Sequence, residues 1–241
     1  MVHTLPPWTG KYKASTIYGQ VDNGELAARL GSVDVFDRRG NFIFYDDFSS
    51  PFEHWVQAGN GVGWAIEVSI EKARIGHHSL VMIAGEGAAG NVTANKYIGG
   101  IKAGKIGLEV NNTINANTKE FRLALRYYDG ADQHYGYVAY DHDNSKFKYL
   151  TTGQVETDLV TGVSLRTTNT PWHTLKMVID TNTNKYVRFI YNNTEVDMST
   201  LDMFTAASAD DAMLQFYFQH ESDHASTKRV FIDSVILTQN E

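Results

Sequence analysis

Three sets of side chains in this 241-residue sequence are of types that carry chemistry. His220-Glu221-Ser222-Asp223-His224 has the spacing of a zinc-hydrolase H-E-x-x-H motif. That motif needs a helix, because only there do residues i and i+4 share a face. Here the run follows alternating apolar residues and is predicted to be a strand end and a loop. Asp233 lies in Val230-Phe231-Ile232-Asp233-Ser234-Val235-Ile236-Leu237, where strict alternation puts it on the face of Phe231, Val235 and Leu237. A carboxylate on a dry face must be paired, hydrogen-bonded or bound to an ion. The third set is Arg126, Tyr128, Tyr137, Gln215, Tyr217 and Gln219, on the polar faces of three predicted strands. Aromatic rings stack on sugar rings, and Arg or amide groups hydrogen-bond their hydroxyls. If the strands are neighbours, these six residues form a glycan groove or a protein interface; otherwise they are ordinary cross-strand pairs.

Other chemistry is excluded. The chain has no cysteine, so disulfides, thiolate metal sites and a Cys nucleophile are ruled out. There is no G-x-S-x-G elbow, phosphate-binding glycine loop or nucleotide fingerprint. The formal charge is -7 and no basic run occurs, which argues against nucleic acid as a partner. No run of about 18 apolar residues is present to span a membrane. The first residues lack a charged region followed by an apolar run, so they do not read as a secretory signal.

The elements that would position these side chains are strands. Thirteen Tyr, twelve Phe and twenty Gly favour pleated surfaces and turns. Phe121, Leu123, Leu125 and Tyr127 alternate with Arg122, Ala124, Arg126 and Tyr128. Leu175, Met177 and Ile179 oppose Lys176 and Asp180, and Leu214, Phe216 and Phe218 oppose Gln215, Tyr217 and Gln219. One wet and one dry face per strand is the pattern of two antiparallel sheets packed face to face. Turns are expected at Asp129-Gly130-Ala131-Asp132 and Thr181-Asn182-Thr183-Asn184, and one helix at Thr200–Ala207 behind a Ser199 cap. Residues 41-241 therefore read as one all-β sandwich domain. Residues 1-40 read as an extended arm, carrying Trp8, Tyr12, Ile17, Tyr18, Leu26, Leu30, Val33 and Phe36 for docking on the sandwich or on a neighbouring subunit.

Three landmarks stand in order: Phe44-Tyr45-Asp46-Asp47-Phe48 before Trp55, then Ala73-Arg74-Ile75-Gly76-His77-His78-Ser79-Leu80, then the pair Trp172-His173-Thr174-Leu175 and Val230-Phe231-Ile232-Asp233-Ser234-Val235-Ile236-Leu237. Together they resemble the concanavalin-like or laminin-G-like jelly roll and the related carbohydrate-binding modules, over roughly residues 42-238. The resemblance implies an antiparallel jelly-roll sandwich and a tendency to bind glycans. It also implies a structural calcium held by Asp233 with Asp46 and Asp47, since calcium takes hard oxygen ligands. Ser49 departs from the usual Glu after the first-strand Phe. Glu195-Val196-Asp197 is similar to the start of the catalytic strand of laminarinase-like glycosidases, but Thr200 stands where the proton-donating Glu belongs. Retaining hydrolysis needs both acids, so no enzyme is expected. The run Leu30–Gly40 is similar to lead-ins of phage-particle jelly rolls.

The sequence thus predicts a non-catalytic structural or interaction protein. In it the arm would join a virus particle, as capsid decoration or tail, by homo-oligomerisation or by contact with other particle proteins, and the sandwich would present a surface. A carbohydrate-binding module, which would be extracellular, is the alternative. A glycosidase on the same fold is the third reading.

Overall fold

The computed structural model describes residues 37, 39–49, 54–85, 90–168, 171–223 and 228–241. The expected arm falls almost wholly outside the described residues; Asp37, Arg39 and Gly40 are its described part. Among the described residues sixteen strands run in chain order. They are β1 (Asn41–Asp46), β2 (Val56–Gly59), β3 (Ala65–Ser69), β4 (Ser79–Ala84), β5 (Gly90–Gly99), β6 (Lys105–Asn112), β7 (Glu120–Tyr128) and β8 (Asp132–Asp141). There follow β9 (Lys146–Leu150), β10 (Glu156–Thr161), β11 (His173–Asp180), β12 (Lys185–Tyr191), β13 (Thr194–Asp197), β14 (Phe204–Ala207), β15 (Met213–Ser222) and β16 (Lys228–Gln239).

They form two antiparallel sheets. Sheet 1 runs β13-β12-β11-β6-β16-β4-β3, with β1 also paired to β16; sheet 2 runs β10-β9-β8-β7-β15-β5-β2, with β14 also paired to β8. The all-β two-sheet sandwich expected from alternation is the observed fold. The dry faces meet in one core that holds Phe121, Leu123, Leu125, Leu175, Met177, Ile179, Leu214, Phe216 and Phe218. Each such side chain contributes about 2–3 kcal/mol on leaving water. Two aromatic groups anchor the core: Trp55 edge-on to Phe216 at 5.5 Å, and Phe147 edge-on to Phe189 at 4.7 Å. Tyr186 crosses between the sheets. Its hydroxyl accepts from the Tyr137 amide at 3.1 Å and donates to the Leu150 carbonyl at 2.9 Å. Gly136 makes room for it, since a Cβ there would lie 2.9 Å from the Tyr186 ring.

Three expectations need correction. No helix forms at 200–207; β14 pairs Phe204–Ala207 with Tyr135–Asp132. The free edge of β8 supplies hydrogen bonds that outweigh a weak local helical preference. The strand β15 runs on to Ser222, past the expected end at His220, and His220 is not at a surface turn but wholly buried, between Thr118 Oγ1 at 3.3 Å and the Met82 carbonyl at 3.4 Å. Burial lowers its pKa to about 4, so it is neutral near pH 7. Finally, β16 carries a bulge between Ile232 and Val235. Val230, Ile232, Val235 and Leu237 all reach the core, while Phe231 leaves it, because a bulge flips the alternation that follows.

Candidate functional site

The six residues singled out on polar faces meet on the outer face of sheet 2. Register places them in rungs across β5, β15, β7 and β8. One rung is Tyr97, Gln215, Arg126 and Tyr135; the next is Asn95, Tyr217, Ala124 and Tyr137. A third holds Thr93, Gln219, Arg122 and Ala139, and Tyr128 lies beyond the first. Tyr135, Arg122, Asn95 and Tyr97 complete the group. The signal for the β5 pair was the alternation of Thr93, Asn95 and Tyr97 with Val92 and Ala94.

This face is not the open wet surface expected from alternation. Tyr137 is 4% exposed, Tyr128 and Gln215 6%, and Tyr217 9%. The cause is Ala124 and Ala139, fully buried in the middle of the sheet, over which the rings of Tyr137 and Tyr217 lie down. Tyr135 and Phe204 pack against this small cluster. Hydrogen bonds fix the layer. Gln215 donates to Asn95 Oδ1 at 3.0 Å and to the Tyr97 hydroxyl at 3.1 Å, and the Tyr135 and Tyr217 hydroxyls bond to each other.

Two arginines lie flat on this layer in different circumstances. The Arg122 guanidinium stacks 4.1 Å from the Tyr137 ring and pairs with Glu120 at 2.6 Å and Glu156 at 2.8 Å. Lys148 closes the same cluster, 2.8 Å from Glu120 and 2.6 Å from Glu156. Burial alone would raise the Glu156 pKa, but hydrogen bonds from Lys148 and Tyr137 outweigh it and hold the group below its ordinary value. Glu156 is therefore not a ready proton donor. Arg126 stacks 4.4 Å from the Tyr135 ring and donates to the Tyr128 hydroxyl at 3.3 Å. Among the described residues no carboxylate lies within ion-pair distance of it, and its Nε is buried without a partner. The phenols of Tyr135 and Tyr137 are pushed well above their ordinary range, chiefly by burial, and stay protonated. The layer offers flat rings, hydroxyls, amides and one uncompensated guanidinium.

The three acids expected at a calcium site are placed apart in role. Asp46 accepts the Phe48 amide at 2.8 Å and the Trp55 indole N–H at 2.9 Å, so both its oxygens are engaged. Asp47 accepts the Ser49 amide at 3.0 Å and hydroxyl at 2.6 Å. Asp233 is fully buried; Oδ2 accepts the Ile75 amide at 2.7 Å, and Oδ1 is buried with no partner. Burial raises its pKa to about 6 against the pull of the Ile75 and Arg74 amides, and the Asp47 charge adds to the rise. Among the described residues no three His, Cys, Asp or Glu side chains converge as a ligand set. Glu195, by contrast, lies exposed on β13 and pairs with Arg39 at 2.7 Å.

Comparison with known proteins agrees with the fold. Residues 127–241 match the model of a domain of unknown function, DUF6772. No curated protein matches the chain. Among solved structures, an endo-β-1,4-glucuronan lyase from the fungus Trichoderma reesei superposes with a TM-score of 0.56 at 13% identity, over 82% of this chain and 95% of the other. A cellulose-induced protein gives 0.53 at 11% identity, over 81% of this chain and 97% of the other. A protein of unknown function from Shewanella oneidensis MR-1 gives 0.51 at 10% identity, over 92% and 96%. The concanavalin-like jelly-roll sandwich implied by the sequence landmarks is therefore the fold of this chain. Identities this low carry the fold and nothing finer.

Proposed function

We propose that this protein is a non-catalytic jelly-roll module that binds an acidic glycan on the outer face of sheet 2. One observation carries the reading: among the described residues no carboxylate compensates Arg126, which lies within a frame of Tyr128, Tyr135, Tyr217 and Gln215. A half-buried guanidinium without a carboxylate partner is costly unless an incoming anion completes it. The rings beside it offer stacking area, and the amides offer hydrogen bonds to hydroxyls. The glucuronan lyase of similar fold acts on a polysaccharide, which supports a glycan as the ligand. Among the described residues the acids of this face, Glu120 and Glu156, are both ion-paired, which supports binding without turnover. The test is a glycan array spanning neutral, uronate and sulfated oligosaccharides, run with the wild type and Arg126→Ala. Binding confined to acidic glycans and lost in the variant supports the reading. Binding to none, or an unchanged profile in the variant, overturns it.

The setting proposed for this module is a virus particle, with residues 1-40 as the anchor and self-association as its means. The apolar residues of that segment support it. So does the ionic grip of its last residues on sheet 1: Asp37 pairs with Lys176 at 2.9 Å, and Arg39 with Glu195. Light scattering on the full chain and on a variant lacking residues 1–36 checks this. An oligomer that becomes a monomer on deletion is expected; monomers in both forms overturn it. A structural calcium at Asp233 and Asp47 belongs to the same proposal, with the unpartnered Oδ1 of Asp233 as its support. Calcium should then raise the melting temperature of the chelator-treated protein by several degrees, as about 1 kcal/mol does for a domain of this size. No rise would leave Asp233 a purely hydrogen-bonded acid.

A further inference from the structure

The opposite side of the sandwich holds a cavity of about 330 Å³ on the outer face of sheet 1, a size that suits a small ligand. It lies where β6, β11 and β12 run side by side, under the loop that carries Arg74. Trp172, just ahead of β11, and Ile190 on β12 give it apolar walls. Its charged residues are mostly satisfied by one another. Lys176, 1% exposed, pairs with Asp37 and with Glu241 at 2.6 Å, and Glu195 pairs with Arg39.

What is left over is a mixed set of donors and acceptors. Arg74 uses one nitrogen on the oxygens of Asn111 and Thr174 and, among the described residues, has no carboxylate within ion-pair distance. Asn193, at the turn between β12 and β13, is exposed beside it. Glu109, 1% exposed, accepts the Asp37 amide at 3.2 Å through Oε2, while Oε1 is buried without a partner. Its burial raises its pKa to about 8, so the group is largely protonated at neutral pH and has an O–H to offer as well as a lone pair. An unpartnered buried oxygen, a guanidinium, a carboxamide and an indole wall match a small ring bearing hydroxyls that both give and take hydrogen bonds.

We propose that this cavity is a second saccharide site, taking a single sugar ring such as the end of a chain. It lies on the other sheet from Arg126 and does not depend on the acidic-glycan reading of that face. The experiment is a two-dimensional NMR titration of the full ¹⁵N-labelled chain. The probes are D-glucose, D-galactose, N-acetyl-D-glucosamine and D-glucuronate, each taken to about 50 mM, where a weak site of millimolar affinity saturates. At least one probe should give saturable shifts of the Trp172 indole and the Asn193 backbone amide. Those shifts should persist in Arg126→Ala and weaken tenfold or more in Trp172→Ala, read at Asn193. The exposed-turn variant Asn193→Ala, read at the indole, gives the same test without a change to the walls. Absence of saturable shifts with all four probes, or shifts unchanged in both cavity variants, overturns the proposal. Loss of the shifts in Arg126→Ala also overturns it, by tying them to the other face.

Discussion

The two outer faces of the sandwich are built from the same strand alternation, yet they are closed in opposite ways. On sheet 2 the closure is aromatic: tyrosine rings lie over Ala124 and Ala139, and Arg126 has no counter-charge among the described residues. On sheet 1 it is ionic: Lys176 and Arg188 are sunk among Asp37, Glu109 and Glu241, and the two ends of the domain meet there. Rings over small residues leave polar edges available to a ligand. Buried ion pairs consume most of theirs, with Arg74 and the Oε1 of Glu109 left over at the cavity, and hold together only while every partner is present.

The difference is open to attack by substitution. Lys176→Met should have the largest effect, because it removes the most buried cation of the cluster and leaves Asp37 and Glu241 to share Arg188; a loss of about 3–5 kcal/mol in urea denaturation is expected. A near-neutral result would mean that the sheet 1 cluster is not an ionic lock. Glu109→Gln probes the same cluster through pH. In the folded chain Glu109 keeps its proton up to about pH 8, whereas unfolded it releases it near the ordinary carboxylate value of 4.5. Its raised pKa makes wild-type stability fall as pH rises from about 4.5 to 8. The variant should lack that fall, matching the wild type near pH 5 and exceeding it by a few kcal/mol at most near pH 9. A wild-type profile flat across this window would sink the assignment. Arg126→Ala should do the reverse of Lys176→Met. It should change stability by less than about 1 kcal/mol while weakening an acidic oligosaccharide about tenfold or more, read by calorimetric titration. Glu195→Gln, which removes an exposed partner of Arg39, should cost under about 1 kcal/mol and fade in high salt.

Alternation told which side of a strand each residue occupies, and that sufficed for the sandwich: every residue of the Phe121–Tyr127 and Leu214–Phe218 series placed inward is in the core. Alternation cannot tell what covers a side. Lys176 and Tyr217 both pointed outward as expected and are both buried, one by ions and one by lying flat. The bulge after Ile232 was hidden because one extra residue leaves no mark in composition. His220 was misjudged because a polar residue in an alternating strand reads as its end. The six residues of the candidate site were found by face. Arg126 stood out only once the partners of Arg122 were known.

The long strand β16, made after the other fifteen strands of the sandwich, is not at an edge. It lies inside sheet 1, with β6 along one side and β4 then β1 along the other. A nascent chain that has emerged only to residue 227 would hold β6 and β4 with open flanks and no means of joining them. The sandwich therefore closes only after Lys228 onward has left the ribosome, and until then the chain exposes sheet edges prone to clumping. Shortening the protein from its carboxyl side past β16 should abolish folding outright, whereas removal of an outer strand such as β13 should merely weaken it.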